Sequence, residues 1–279
     1  MSSGICLVVA YDGTNFHGFQ AQHDLRCVQS ELKTVLERVC RHEVEVRGAS
    51  RTDAGVHAEG QIVAFDTTRE LAPRRWTQAL NRYLSEDIAV TNAWSCDPGY
   101  TPRFDARDKV YRYVFHLGAV RDPLLAQRAW HLGRQIPFHY PDRDLLEGSH
   151  HQLDVASMKE ACALLVGTHD FTAFRAAADT RSDTMRTLLR VELRENHLGR
   201  ADLMALEIEG TAFMKNMVRI IAGTLIAVGR GRMTLSHLSG LLQPGANRIH
   251  AGETAPPQGL TLVSVRLGRL STSPDLASR

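Results

Sequence analysis

A chain of 279 residues with 43% hydrophobic and 23% charged side chains can bury a sizeable core, which excludes a disordered polypeptide. The formal net charge of +2 excludes a strong overall positive field as the means of drawing in a polyanion. Five scattered cysteines (Cys6, Cys27, Cys40, Cys96, Cys162), with no CxxC pair, argue against a disulfide framework or a zinc knuckle and fit a reducing cytoplasm.

In chain order, ICLVVAY (5–11) reads as a buried strand, too short for a membrane span and lacking the flanks of a signal peptide. The expectation is a cytoplasmic protein with no membrane partner. Residues 28–41 align Val28, Leu32, Val35, Leu36 and Val39 on one helical stripe. VEVRGA (44–49) and QIVAFDT (61–67) read as strands. A helix over 73–84 opens on a proline and groups Trp76, Leu80, Tyr83 and Leu84, and IAVTNAW (88–94) follows as a strand. The order β-α-β-β-α-β is that of a split βαβ unit.

The second half repeats the order without repeating the sequence. A strand at 110–116 precedes a helix near 155–166, strands near 186–195 and 202–210, a helix over 213–228 and a strand at 260–267. The stretch 131–154, rich in His, Pro and Asp, reads as an exposed excursion, and LSTSPDLASR at the end as a disordered tail. The expected class is α+β: two ferredoxin-like (RRM-like) halves, 1–105 and 106–279, forming an extended, mainly antiparallel sheet with helices on one side.

Between the second and third strands lies SRTDAGVHAEGQ (50–61), where the Asp53 carboxylate stands two residues from Arg51 among small residues. A loop on rigid strands is a good place for a reactive group. Asp53 could simply cap a turn, with Gly55 supplying a positive φ. Metal binding by Asp53 and His57 is disfavoured, because Gly55 argues against a helix between them and no further ligand cluster sits nearby. A third reading is nucleophilic or base chemistry by the carboxylate, which needs a cation to keep it charged once water is excluded. The loop by itself leaves these open. Of the 33 basic residues only Lys33, Lys109, Lys159 and Lys215 are lysines; arginine suits phosphate recognition, though a GC-rich genome would give the same bias.

Six motifs, in order, closely resemble the tRNA pseudouridine synthase A family. They are YDGTNFHGFQAQ (11–22) with VQSELKTVL (28–36), GASRTDAGVHAEGQIVAF (48–65), RFDARDKVYRYVF (103–115), GTHDFTAFRA (167–176), FMKNMVRIIAGTLIAVGRG (213–231) and APPQGLTLVSV (255–265). The resemblance implies the pseudouridine synthase fold and isomerisation of uridine to pseudouridine in the anticodon stem-loop of tRNA, at positions 38 to 40. It implies no cofactor and no metal, and a homodimer. The absence of a GxGxxG or P-loop motif agrees with the first. By the same resemblance Asp53 is the catalytic aspartate, in the first half, and Arg51 displaces the target base. Tyr111 is the active-site tyrosine and Arg219 the partner of the aspartate, both in the second half. Leu260 packs near the uracil, and Gly55 and His57 line the substrate loop. Tyr111 and Tyr113 share a strand face, so one of the two is free to serve as packing. The asparagine usual after M-V-R is Ile220 here. A non-catalytic RNA-binding protein on the same double sheet, or a synthase acting at other RNA positions, are the alternatives.

Overall fold

The structure, a computed structural model, describes residues 2–133, 153–179 and 182–268. Most of the 131–154 stretch and the terminal LSTSPDLASR lie outside the described residues. Two compact units emerge, Met1–Val110 with Thr261–Arg279, and Tyr111–Leu260.

The first unit contains β1 (Ser3–Tyr11), α1 (Val28–Cys40), β2 (Arg47–Gly48), β3 (His57–Thr67), α2 (Pro73–Asn81), β4 (Ile88–Cys96) and the four-residue α3 (Pro102–Asp105). The start of β5 (Ala106–His116) and nearly all of β10 (Leu260–Leu267) complete it. Its strand order is β4-β1-β3-β10-β5, with β2 also paired to β3. β4-β1-β3-β2 is the order of a split βαβ unit. β1 runs antiparallel to both neighbours (Val8↔Ile62, Val8↔Asn92), whereas β10 joins β3 in parallel through Thr261↔His57 and Leu262↔Ala58.

The expected stripe of α1 is buried, from Val28 to Val39. α2 buries Trp76 and Leu80, the indole edge-on to Phe65 at 5.2 Å, but ends at Asn81 rather than Leu84. The reason is local. The Asn81 carboxamide accepts from the Val90 N–H (2.7 Å) and donates to the Val90 carbonyl (2.8 Å), which turns the chain into β4. Tyr83 is left exposed under the Arg38 guanidinium, 4.0 Å from its ring centre. The strand expected over 44–49 shrinks to two residues. Side chains of α1 take its backbone groups instead: Gln29 donates to the Val46 carbonyl and Glu37 accepts from the Val44 N–H.

In the second unit β5 ends at His116, followed by β6 (Trp130–His131), α4 (Val155–Leu165), β7 (Gly167–Asp170), β8 (Met185–Glu195), β9 (Leu203–Gly210), α5 (Met217–Gly229) and α6 (Leu235–Leu241). The order is β5-β9-β8-β7, with β6 parallel to β5. The expected helix over 213–228 begins four residues later, at Met217, because Asn216 adopts left-handed geometry (φ 61). All residues of α5 but Arg219 and Ala227 are buried, so the helix is apolar all round rather than striped. The segment 251–255 passes close over it. A Cβ on Gly223 would run into the Glu253 carbonyl oxygen, and the Gly252 N–H donates to Thr224 Oγ1 at 2.9 Å.

The class is α+β, mainly antiparallel, with helices on one side. No helix among the described residues is long and apolar enough to cross a membrane.

Candidate active site

The Asp53 loop is fastened through its backbone. At its base the Ala49 N–H donates to the Ile62 carbonyl (2.8 Å), and the buried Gln61 carboxamide satisfies both backbone groups of Ser50 (3.1 and 2.8 Å). Residues 11–19 hold its middle. The hydroxyls of Tyr11 and Thr52 lie 2.7 Å apart, the Phe19 N–H donates to the Thr52 carbonyl (3.1 Å), and the Gly55 N–H donates to the Phe16 carbonyl (3.2 Å). The Val56 N–H closes a turn on the Asp53 carbonyl at 3.1 Å, with Gly55 at φ +76 as that turn requires. Gly13 comes so near that a Cβ would run into the Val56 carbonyl oxygen.

YDGTNFHGFQ is therefore a cradle for RTDAG. The Asp53 side chain, half-buried, takes part in none of these bonds, and Arg51 is exposed. The carboxylate is not spent on capping the turn.

His57 is the first residue of β3, not a loop residue, and it is buried. Its Nδ1 lies 3.0 Å from the Gly13 nitrogen and 3.1 Å from Asp12 Oδ1. A ring unprotonated at Nδ1 accepts from the Gly13 N–H; one protonated there donates to Asp12 instead. Either way this face of the ring is turned to the cradle. Among the described residues no group of three or more His, Cys, Asp or Glu side chains is placed to hold a metal ion.

In the second unit, Tyr111 is buried with its ring edge-on to Phe213, centroids 5.1 Å apart. Tyr113, two residues on, is fully buried; its hydroxyl donates to the Pro256 carbonyl (2.7 Å) and its ring fills the space over Gly259. Burial pushes the Tyr113 phenol up. Of the two tyrosines, Tyr113 is the one committed to packing.

Arg219 sits in the first turn of α5, oriented from two sides. Its Nε donates to the Ala255 carbonyl at 2.7 Å and its Nη1 to Asn216 Oδ1 at 3.0 Å, while the Ala255 N–H returns a bond to the Arg219 carbonyl (3.1 Å). Leu260, five residues after Ala255, is buried where β10 begins. The segment 255–260 thus ties Arg219, Tyr113 and Leu260 together. Arg51, Asp53, Gly55 and His57 are likewise gathered within the first unit.

A family model described as tRNA pseudouridine synthase matches residues 7–105 and 161–267. The chain belongs to the tRNA pseudouridine synthase family. Curated relatives agree along its length. The tRNA pseudouridine synthase A of Geobacter sulfurreducens is 39% identical over 94% of this chain and 98% of its own. That of a Geobacillus species is 38% identical over 95% and 98%, and that of Shouchella clausii 39% over 94% and 92%. Members of this synthase family are isomerases, and this chain is one. Arg51, Asp53, Gly55, His57, Arg219 and Leu260 fall inside the residues matched by the family model, and Tyr111 falls between its two segments.

Tyr11, Thr52, Phe213, Asn216 and Ala255 escaped the sequence reading as parts of the site. All lie inside the same motifs; four of them make side-chain contacts to other motif residues and Ala255 acts through its backbone, so spacing alone could not separate them from ordinary core positions.

Proposed function

We propose that this protein isomerises uridine to pseudouridine in the anticodon stem-loop of tRNA, at positions 38 to 40, with Asp53 as the reacting carboxylate. The bond from N1 to C1′ breaks, the uracil turns over, and C5 bonds to C1′; the C5 proton is lost and N1 gains one. Electrons balance within the substrate, so no redox or group-donating cofactor is called for. Attack at C1′, attack at C6 and removal of a C2′ proton are the steps open to a carboxylate here, and each needs it ionised. Arg219 supplies the counter-charge. Arg51 fills the stack that the flipped base vacates, since a guanidinium can stack and hold phosphate at once. Tyr111 stacks on the uracil beside Leu260, with its hydroxyl toward the departing C5 proton. Gly55 and His57 shape the loop that the ribose approaches.

The observation that carries this reading is the Asp53 loop: every bond that fastens it is made by other groups, leaving the carboxylate for chemistry. Asp53→Asn keeps the shape and removes the charge. Tritium release from 5-labelled uridine in defined tRNAs should be abolished while tRNA binding persists; turnover near the parent level would sink the assignment.

The protein works in the cytoplasm as a homodimer. A net charge of +2 gives one chain little long-range pull on RNA, and a two-fold assembly doubles its local arginine patches. Light scattering at micromolar protein checks this, and a fully active monomer would refute it.

A further inference from the structure

The segment that leads into Tyr111 carries a second feature, which the chemistry above does not use. Phe104 is 87% exposed, an unusual position for a large aromatic ring, and it lies between exposed Arg103 and Arg107. The ring does not hang from a loose loop. α3 starts on Pro102, the Tyr100 hydroxyl donates to the Asp105 carboxylate at 2.7 Å, and the Gly268 N–H donates to the Asp105 carbonyl at 2.9 Å. The Phe104 ring is presented on a fixed turn.

The charges around it are unbalanced. Asp105 is taken by Tyr100 and buried Asp108 by Arg266, and among the described residues no carboxylate pairs with Arg103, Arg107 or Lys109. Lys109 is half-buried, and burial, with Arg103 after it, pushes its ammonium down. Strand alternation puts Arg107 and Lys109 on one face of β5, the strand that leads into Tyr111.

We propose that Arg103, Phe104, Arg107 and Lys109 form a strip that grips the substrate RNA next to the reacting uridine, Phe104 stacking on a neighbouring base and the three cations holding phosphates. The strip rests on the tRNA-modifying reading of the Asp53 site. A bare exposed phenylalanine would suit a protein partner equally, but uncompensated cations on both sides of it match a polyanion whose bases offer π-faces.

The test is binding of an unmodified tRNA transcript to the full chain, in an Asp53→Asn background, over a range of salt. Arg103→Gln and Arg107→Gln should each lower the slope of log affinity against log salt by about 1, because each removes a phosphate contact. Phe104→Ala should weaken binding roughly tenfold with the slope unchanged, since stacking releases no counterions. Parent-like affinity and slope in all three would overturn the proposal. So would a Phe104→Ala protein that binds RNA normally but changes its oligomeric state in light scattering, which would make the strip a protein contact. If the parent itself binds no tRNA, the reading beneath the strip falls, and the strip with it; that outcome is distinct from failure of the strip alone.

Discussion

Nη1 of Arg219 donates to Oδ1 of Asn216 at 3.0 Å, and Asn216 is held in left-handed backbone geometry. Asparagine tolerates that geometry better than most side chains, so one residue both breaks the chain before α5 and aims the guanidinium. Asn216→Gly keeps the backbone and removes the acceptor. It should lower kcat on the order of tenfold, since misplacing a catalytic group costs rate steeply, with KM for tRNA little changed. Asn216→Ala should add a fold penalty of about 1–2 kcal/mol that the glycine variant lacks. Tritium-release kinetics and thermal melts on both variants check this; equal kcat in parent and glycine variant would count against it.

Removing Arg219 itself is a harsher change. If Arg219 balances Asp53 in a site closed to water, Arg219→Leu leaves a carboxylate unpaired at a cost on the order of 3–5 kcal/mol, part of which protonation relieves. The substitution also takes a donor from the Ala255 carbonyl. Activity should collapse and partly return as pH rises, because the protonated carboxyl is the inactive form. A pH–rate profile that keeps the parent's shape and height would refute the pairing.

The cradle can be tested without changing Arg51 or Asp53. Gly13→Ala places a methyl group against the Val56 carbonyl oxygen, and the loop must move to admit it. Tyr11→Phe is the milder companion, removing the buried bond to Thr52, worth about 1 kcal/mol. The expected order of turnover is parent, then Tyr11→Phe, then Gly13→Ala. Full activity in the alanine variant would show that the loop does not depend on the close approach.

Acid stability should trace to Asp87. The Arg26 guanidinium bonds its carboxylate at 2.6 and 2.8 Å and lowers its pKa to about 2. A carboxylate depressed in the folded state contributes stability that is complete above its unfolded pKa, near 3.9, and is lost as pH falls through the folded value. Arg26 also covers the Phe16 ring at 4.1 Å, and its carbonyl accepts from the His17 N–H, so the pair braces the cradle. Asp87→Asn should melt below the parent at neutral pH, with the gap closing between pH 4 and pH 2. Melting curves across that range decide it; a constant gap would mean the charge does not matter.

Whatever depends on near neighbours along the chain was legible in the sequence. The α1 stripe from Val28 to Val39, the core strand of β1, the proline start of α2 and the motif that holds Asp53 all rest on periods of two or 3.6 residues or on turn chemistry, and α1 is buried along that stripe. Element ends were less legible. Asn81 and Asn216 end and delay helices through side-chain bonds and a backbone angle that no periodicity encodes. Only the tertiary structure decided that β10 pairs with β3 through Thr261 and His57, that Tyr113 spends its hydroxyl on Pro256 while Tyr111 meets Phe213, and that Ala255 clasps Arg219. Each of these joins residues 36 to more than 200 positions apart. The free energy of such a contact comes from burial and hydrogen bonding between surfaces that meet only once both are folded, so no local pattern records it.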